Sequence, residues 1–194
     1  MDSEFDSIVA AVKACDFCKA HLPLGPRPVF QISQTARILI VGQAPGRRVH
    51  ETGIPFNDPS GERLRSWMGI DRNVFYDSGK IALLPMGFCY PGTGKSGDLP
   101  PRLECAEKWR KQLLAHLPDI QLILVIGVYA QAWHLGERQK DTLTETVRNW
   151  KEYWPELLAL PHPSPRNNLW LRKNPWLDEE ILPVLKGRVR KLVA

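Results

Sequence analysis

An α/β fold follows from three features of the sequence: short continuous apolar runs, helix-length stretches between them, and glycine- and proline-rich segments directly after two of the runs. Runs 37–42, 80–84 and 121–127 are continuously apolar after a polar first residue rather than alternating, the pattern of parallel strands covered on both faces. Run 157–160 is a fourth, weaker candidate of the same kind. Stretches 60–68, 103–117, 128–135 and 176–192 read as helices. Strand and helix alternate, which predicts a three-layer α/β/α arrangement around a central, mostly parallel four-stranded sheet. The 194 residues are 43% hydrophobic and 24% charged, enough for one substantial core. No repeat or low-complexity stretch divides them, so a single domain over 1–194 is expected.

Segment 1–14 is short, acidic and amphipathic, and no apolar run approaches the roughly 20 residues of a membrane helix. A cytoplasmic protein with no membrane partner is the expectation. The formal charge of +5 and pI near 9.1 are compatible with a polyanionic partner but modest for one held mainly by phosphate contacts. Arg166, Arg172, Lys173, Lys186, Arg188, Arg190 and Lys191 crowd the end of the chain, where a solvated helix face explains them equally well.

Cys15 and Cys18 form a C-x2-C pair, with Cys89 and Cys105 far downstream. In a reducing compartment four thiols read as ligands of one shared metal centre more readily than as disulfides. Two intervening residues let both sulfurs of the pair turn toward a single centre. Spacing alone does not separate zinc from iron–sulfur.

In open α/β sheets ligands sit beyond the carboxyl ends of the strands, so the two unusual segments should face each other across one cleft. The first, 42–61, follows the first strand. Gly42 and Gly46 permit close backbone approach, Phe56 offers a flat stacking surface, and Ser60-Gly61 opens a helix whose amide end favours an anion. It has no Gly-Lys-Ser or Gly-Lys-Thr ending and is not a Walker loop. The second, 160–168, follows the last strand and holds Pro161, Pro163 and Pro165. A histidine fixed between prolines, His162, suits donation of a hydrogen bond to a defined oxygen, and Ser164 can contact phosphate.

These loops and cysteines together resemble the uracil-DNA glycosylase superfamily, most closely its iron–sulfur branch of thermophiles and bacteria. The residues that carry the resemblance are Gly42-Gln43-Ala44-Pro45-Gly46, Ile54-Pro55-Phe56, His162-Pro163-Ser164 and the four cysteines. The run from His162 to Asn167 is similar to the single-strand-selective monofunctional uracil glycosylases, so the chain mixes features of two branches. The resemblance implies a structural 4Fe-4S cluster on Cys15, Cys18, Cys89 and Cys105, and it decides against zinc. It also implies a monofunctional glycosylase of base excision repair, acting as a monomer on single- or double-stranded DNA with the damaged base, most plainly uracil, extruded into a pocket. Phe56 would stack on that base with Ala44 beside it. His162 would hydrogen-bond the pyrimidine O2, and the backbone from Gln43 through Pro45 to Gly46 would line the pocket and guide water. Ser60 and Ser164 would grip phosphates. Arg166, between Pro165 and Asn167, would fill the hole left by the base.

Two departures bear on the chemistry. The branch has glutamate where Gln43 stands and others have aspartate where Ala44 stands, so no acid remains there to take a proton from water. Glu51 and Asp58, in the same loop, are the possible replacements. Pro85 stands where the branch has a base-reading asparagine, which allows hypoxanthine or xanthine in place of uracil, with Asn57 as a substitute reader. Loss of the acids also favours a rival reading, a DNA-binding protein without turnover. Lyase action is disfavoured because neither pocket motif contains a lysine. Loop 91–97 reads equally as a DNA-tracking segment or a plain solvent turn.

Overall fold

A computed structural model describes residues 3–95 and 97–194. In chain order the elements are α1 (Ser3–Lys13), β1 (Ile38–Val41), α2 (Arg47–Thr52), α3 (Pro59–Met68), α4 (Arg72–Phe75), β2 (Ile81–Leu83), β3 (Thr93–Gly94), β4 (Gly97–Asp98), α5 (Leu103–Ala115), β5 (Leu122–Ile126), α6 (Val128–Leu135), α7 (Leu143–Arg148), β6 (Leu157–Leu160), α8 (Asn168–Lys173) and α9 (Leu182–Val193). The four apolar runs pair into one parallel sheet of order β2-β1-β5-β6. Ile38 stands opposite both Ile81 and Leu122, and Ile123 opposite Leu157. Every residue of β1 and β2 is buried, as continuous apolar strands require when helices cover both faces. The three-layer α/β/α expectation holds.

Because all four strands are parallel, their carboxyl ends share one edge of the sheet. Gly42 leaves β1 there, Pro85 follows β2, Gly127 follows β5 and His162 follows β6. The β5 and β6 ends are locked together by buried Gln131, whose Nε2 donates to the Leu160 carbonyl at 3.0 Å. That bond fixes the strand end from which His162 projects.

Two segments differ from the sequence reading. Loop 91–97 contains the antiparallel β3–β4 pair, with Thr93 opposite Asp98 and Gly94 opposite Gly97; Ser96 lies outside the described residues. The single helix expected over 176–192 is instead a π-turn at Leu177–Ile181 followed by α9. Pro183 sits in the first turn of α9, where its missing N–H and fixed φ are tolerated. Among the described residues no helix is long and apolar enough to cross a membrane.

Candidate active site

Beyond the carboxyl edge of the sheet lies a cavity of about 460 Å³. The first loop supplies Gln43 to Gly46, Phe56 and Ser60, and the last supplies His162, Ser164, Pro165, Arg166 and Asn167. The cleft expected between the two segments is therefore present. Pro85 lines the same wall, at the position where the sequence lacks a base-reading amide. Asn57 does not line the cavity: its Oδ1 accepts from Arg72 NH2 at 3.3 Å, turning the amide toward α4.

Phe56 owes its position to an unusual backbone. It has φ of 53°, and it is the one non-glycine residue described with φ in the left-handed range, a conformation that costs on the order of 1–2 kcal/mol. Three contacts hold it. The Phe56 carbonyl accepts from buried Arg65 NH1 at 3.4 Å, the Pro55 carbonyl accepts from Tyr76 Oη at 2.9 Å, and the Phe75 ring meets the Phe56 ring edge-on with centroids 6.0 Å apart. Its far edge lies 3.2 Å from where a Cβ on Gly42 would stand, so glycine there lets the ring settle against β1. Gly61 approaches still more closely, since a Cβ at that position would fall 1.8 Å from the Phe56 carbonyl oxygen. Asp58 caps α3, its Oδ1 accepting from the Gly61 N–H at 2.8 Å.

His162 is held by its own turn. Ser164 N–H donates to Nδ1 at 3.2 Å, which places the ring proton on Nε2 and leaves a neutral imidazole able to donate into the cavity. Burial lowers the His162 pKa, opposed by the carboxylates of Asp58 and Asp98, which agrees with the neutral form. Asn167 Nδ2 donates to the His162 carbonyl at 2.7 Å, so this amide shapes the turn. Ser164 Oγ accepts from Arg166 N–H at 3.3 Å. Arg63, which the sequence did not single out, clamps the loop to α3 by donating to the Ser164 carbonyl at 3.0 Å and to Asn168 Oδ1 at 2.7 Å.

The third wall is the β3–β4 hairpin, which contributes Gly97, Asp98 and Leu99. Gln43 Nε2 donates to the Leu99 carbonyl at 3.3 Å, and the Arg166 guanidinium packs against Gly97, whose φ of 142° suits glycine. Glu51 lies outside the cavity, paired with Arg47 at 3.0 Å. Among the described residues, the two carboxylates that line it are Asp58 and Asp98.

Behind the Pro85 wall runs Arg110 of α5, 1% exposed, whose NH1 donates to the Leu84 and Pro85 carbonyls at 3.1 and 3.2 Å. Its NH2 lies 3.0 Å from His134 Nε2. Burial, reinforced by Arg110, lowers His134 to about 3, so it accepts this bond as a neutral ring.

All four cysteines are free thiols and line a single small hollow with Trp109, Phe88 and Leu22. Two of the sulfurs accept N–H donors: Trp109 Nε1 donates to Cys15 Sγ at 3.2 Å and Phe88 N–H to Cys105 Sγ at 3.4 Å. Burial pushes the Cys89 thiol to about 11 and the Cys105 thiol to about 12, with mutual repulsion among the sulfurs adding to it. Among the described residues no three His, Cys, Asp or Glu side chains are gathered tightly enough to hold a metal ion as they stand. The donor set nevertheless suits a thiolate-ligated centre: four sulfurs around one hollow, two of them receiving an N–H, within an apolar lining. Trp109, read from sequence as packing alone, belongs to this site.

A parallel α/β sheet thus places Phe56 and a neutral His162 on the lining of one cavity beyond its strand ends. Residues 29–186 match the uracil DNA glycosylase superfamily, and the chain belongs to it. The solution NMR structure of a candidate uracil DNA glycosylase from Methanosarcina acetivorans is 15% identical, covers 83% of this chain and 98% of that one, and has a TM-score of 0.49.

Proposed function

We propose that the chain is a monofunctional DNA glycosylase that hydrolyses the N-glycosidic bond of a base extruded from DNA, with uracil as its first substrate. The observation that carries the reading is the neutral His162 ring, its Nδ1 occupied by the Ser164 N–H and Nε2 left to donate, on the lining of the cavity that Phe56 also lines. As the bond breaks, negative charge grows on the leaving base, and a fixed donor at its O2 stabilises the transition state more than the ground state. Phe56 holds the ring plane. Ser60 and Ser164, which line the cavity, would meet the flanking phosphates of an extruded nucleotide, and exposed Arg166, also on its lining, would enter the vacated stack.

The four thiols would hold a 4Fe-4S cluster with a structural role; when bound it supplies charge and cross-linking rather than chemistry at the sugar. Trp109 and the Phe88 N–H would then stabilise the ligating sulfurs.

The test is release of base from single- and double-stranded oligonucleotides carrying uracil, hypoxanthine or xanthine, with alkali to reveal abasic sites. Release that vanishes in His162→Ala supports the reading. DNA binding without release of any base would favour the non-catalytic alternative, toward which the engaged amide of Gln43 points.

A further inference from the structure

The first loop carries no acid at Gln43 or Ala44, yet a carboxylate does face the cavity, from a different part of the chain. Asp98, the last residue of β4, is exposed, and among the described residues its side chain has no hydrogen bond or ion pair. Its Oδ2 lies 3.3 Å from where a Cβ on Gly46 would stand, so the carboxylate rests close against the first loop. The hairpin is tied on both sides of the mouth, by Gln43 to the Leu99 carbonyl and by Arg166 on Gly97. Asp98 is thus held at the cavity by both motif loops.

A carboxylate here works against binding, because the cleft must accept a polyanion and this charge opposes every phosphate that approaches. What it favours is positive charge. Glycosidic cleavage creates such a charge at the sugar C1′, one bond from the base ring whose O2 His162 holds. Asp58 is the nearer carboxylate in its effect on His162, but its Oδ1 is committed to the Gly61 N–H and the start of α3. Glu51 is paired outside.

We infer that Asp98 is the catalytic carboxylate of this site, supplied by the hairpin in place of the acid missing from the first loop; this rests on the glycosylase reading above. The glycosidic bond breaks with its electron pair on the base, whose O2 is held by His162 Nε2–H. Asp98 stabilises the sugar cation and orients a water whose oxygen lone pair bonds C1′. The water's proton passes to the Asp98 carboxylate and then to solvent, while the departing base anion takes a proton from solvent.

The experiment compares full-length wild type, Asp98→Asn and Asp58→Ser, the last keeping a capping oxygen. Each is measured for single-turnover release and for binding to oligonucleotides holding either a neutral tetrahydrofuran abasic analogue or its cationic pyrrolidine counterpart. Asp98→Asn should bind the neutral analogue slightly tighter, lose roughly tenfold or more of the preference for the cationic one, and slow release by roughly 10²-fold. A purely structural role for Asp98 would weaken both analogues alike and overturn the assignment. So would a larger loss of cation preference in Asp58→Ser. Release by wild type with an unchanged preference in Asp98→Asn overturns the Asp98 assignment alone, whereas wild type inert on every base overturns the glycosylase reading as well.

Discussion

Gly61→Ala tests how Phe56 is held. In a helix, alanine normally gains about 0.5–1 kcal/mol over glycine, so on propensity alone this change should stabilise α3. The structure predicts the opposite sign. The new methyl would lie 1.8 Å from the Phe56 carbonyl oxygen and 2.9 Å from the Phe56 Cβ, both inside the 3.0 Å that Cβ contacts essentially never breach. Backbone atoms cannot rotate away, so α3 and the Phe56 turn must separate by about 1.2 Å, at an overpacking cost of about 1–3 kcal/mol. That movement also stretches the Asp58 cap, worth about 1 kcal/mol. The net loss is about 2–3 kcal/mol, or a fall of about 4–12 °C in Tm for a domain of this size. Thermal unfolding of Gly61→Ala beside Gly187→Ala checks it. Gly187 sits inside α9 with open space where a Cβ would stand, so alanine there should raise Tm by a few degrees. If both variants melt above wild type, the close approach of Gly61 to Phe56 is not what holds the turn.

Arg63→Ala removes the clamp on the last loop and should lower base release by about tenfold while Tm falls by only a few degrees, read by single-turnover kinetics and thermal melting. His134 is lowered to about 3 in the fold and takes up a proton on unfolding below its ordinary value near 6.5, so stability should fall as pH drops from about 6.5 toward 3. His134→Gln should flatten that slope in denaturant titrations; an unchanged slope would show that the acid loss arises elsewhere. Iron and sulfide analysis of protein purified without oxygen should find a brown, iron-bearing product, and Cys89→Ser should lose the colour. Zinc in its place, or no metal, would refute the cluster.

The sheet was legible because β1, β2, β5 and β6 are continuous apolar runs whose burial depends on little beyond their own residues. The motif loops were legible for a related reason: parallel strands bring their carboxyl ends to one edge, so 42–61 and 160–168 had to meet. Short helices were not. α2, α4 and α7 span four to six residues and rest on local caps, such as the reciprocal Thr142 and Glu145 bonds of α7, rather than on a long periodic face. Residues acting at a distance were also hidden. Arg63 reaches a carbonyl 101 positions away and Trp109 a sulfur 94 away, and neither sits in a motif. Asp98 lies just past the glycine-rich 91–97 turn in no motif, and only the folded hairpin brings it against Gly46.

The four-thiol hollow also bears on the chain when it is not folded. Cys15 and Cys18 precede the family-matched segment and Cys89 and Cys105 fall within it, with roughly 70 residues between the inner pair. A group bound by all four would close a loop holding β1, β2 and the whole of the first motif. Tying a loop of that length removes about 4 kcal/mol of conformational freedom from the disordered state in the chain-entropy treatment of cross-links. The stabilisation would belong to no contact visible in the native fold.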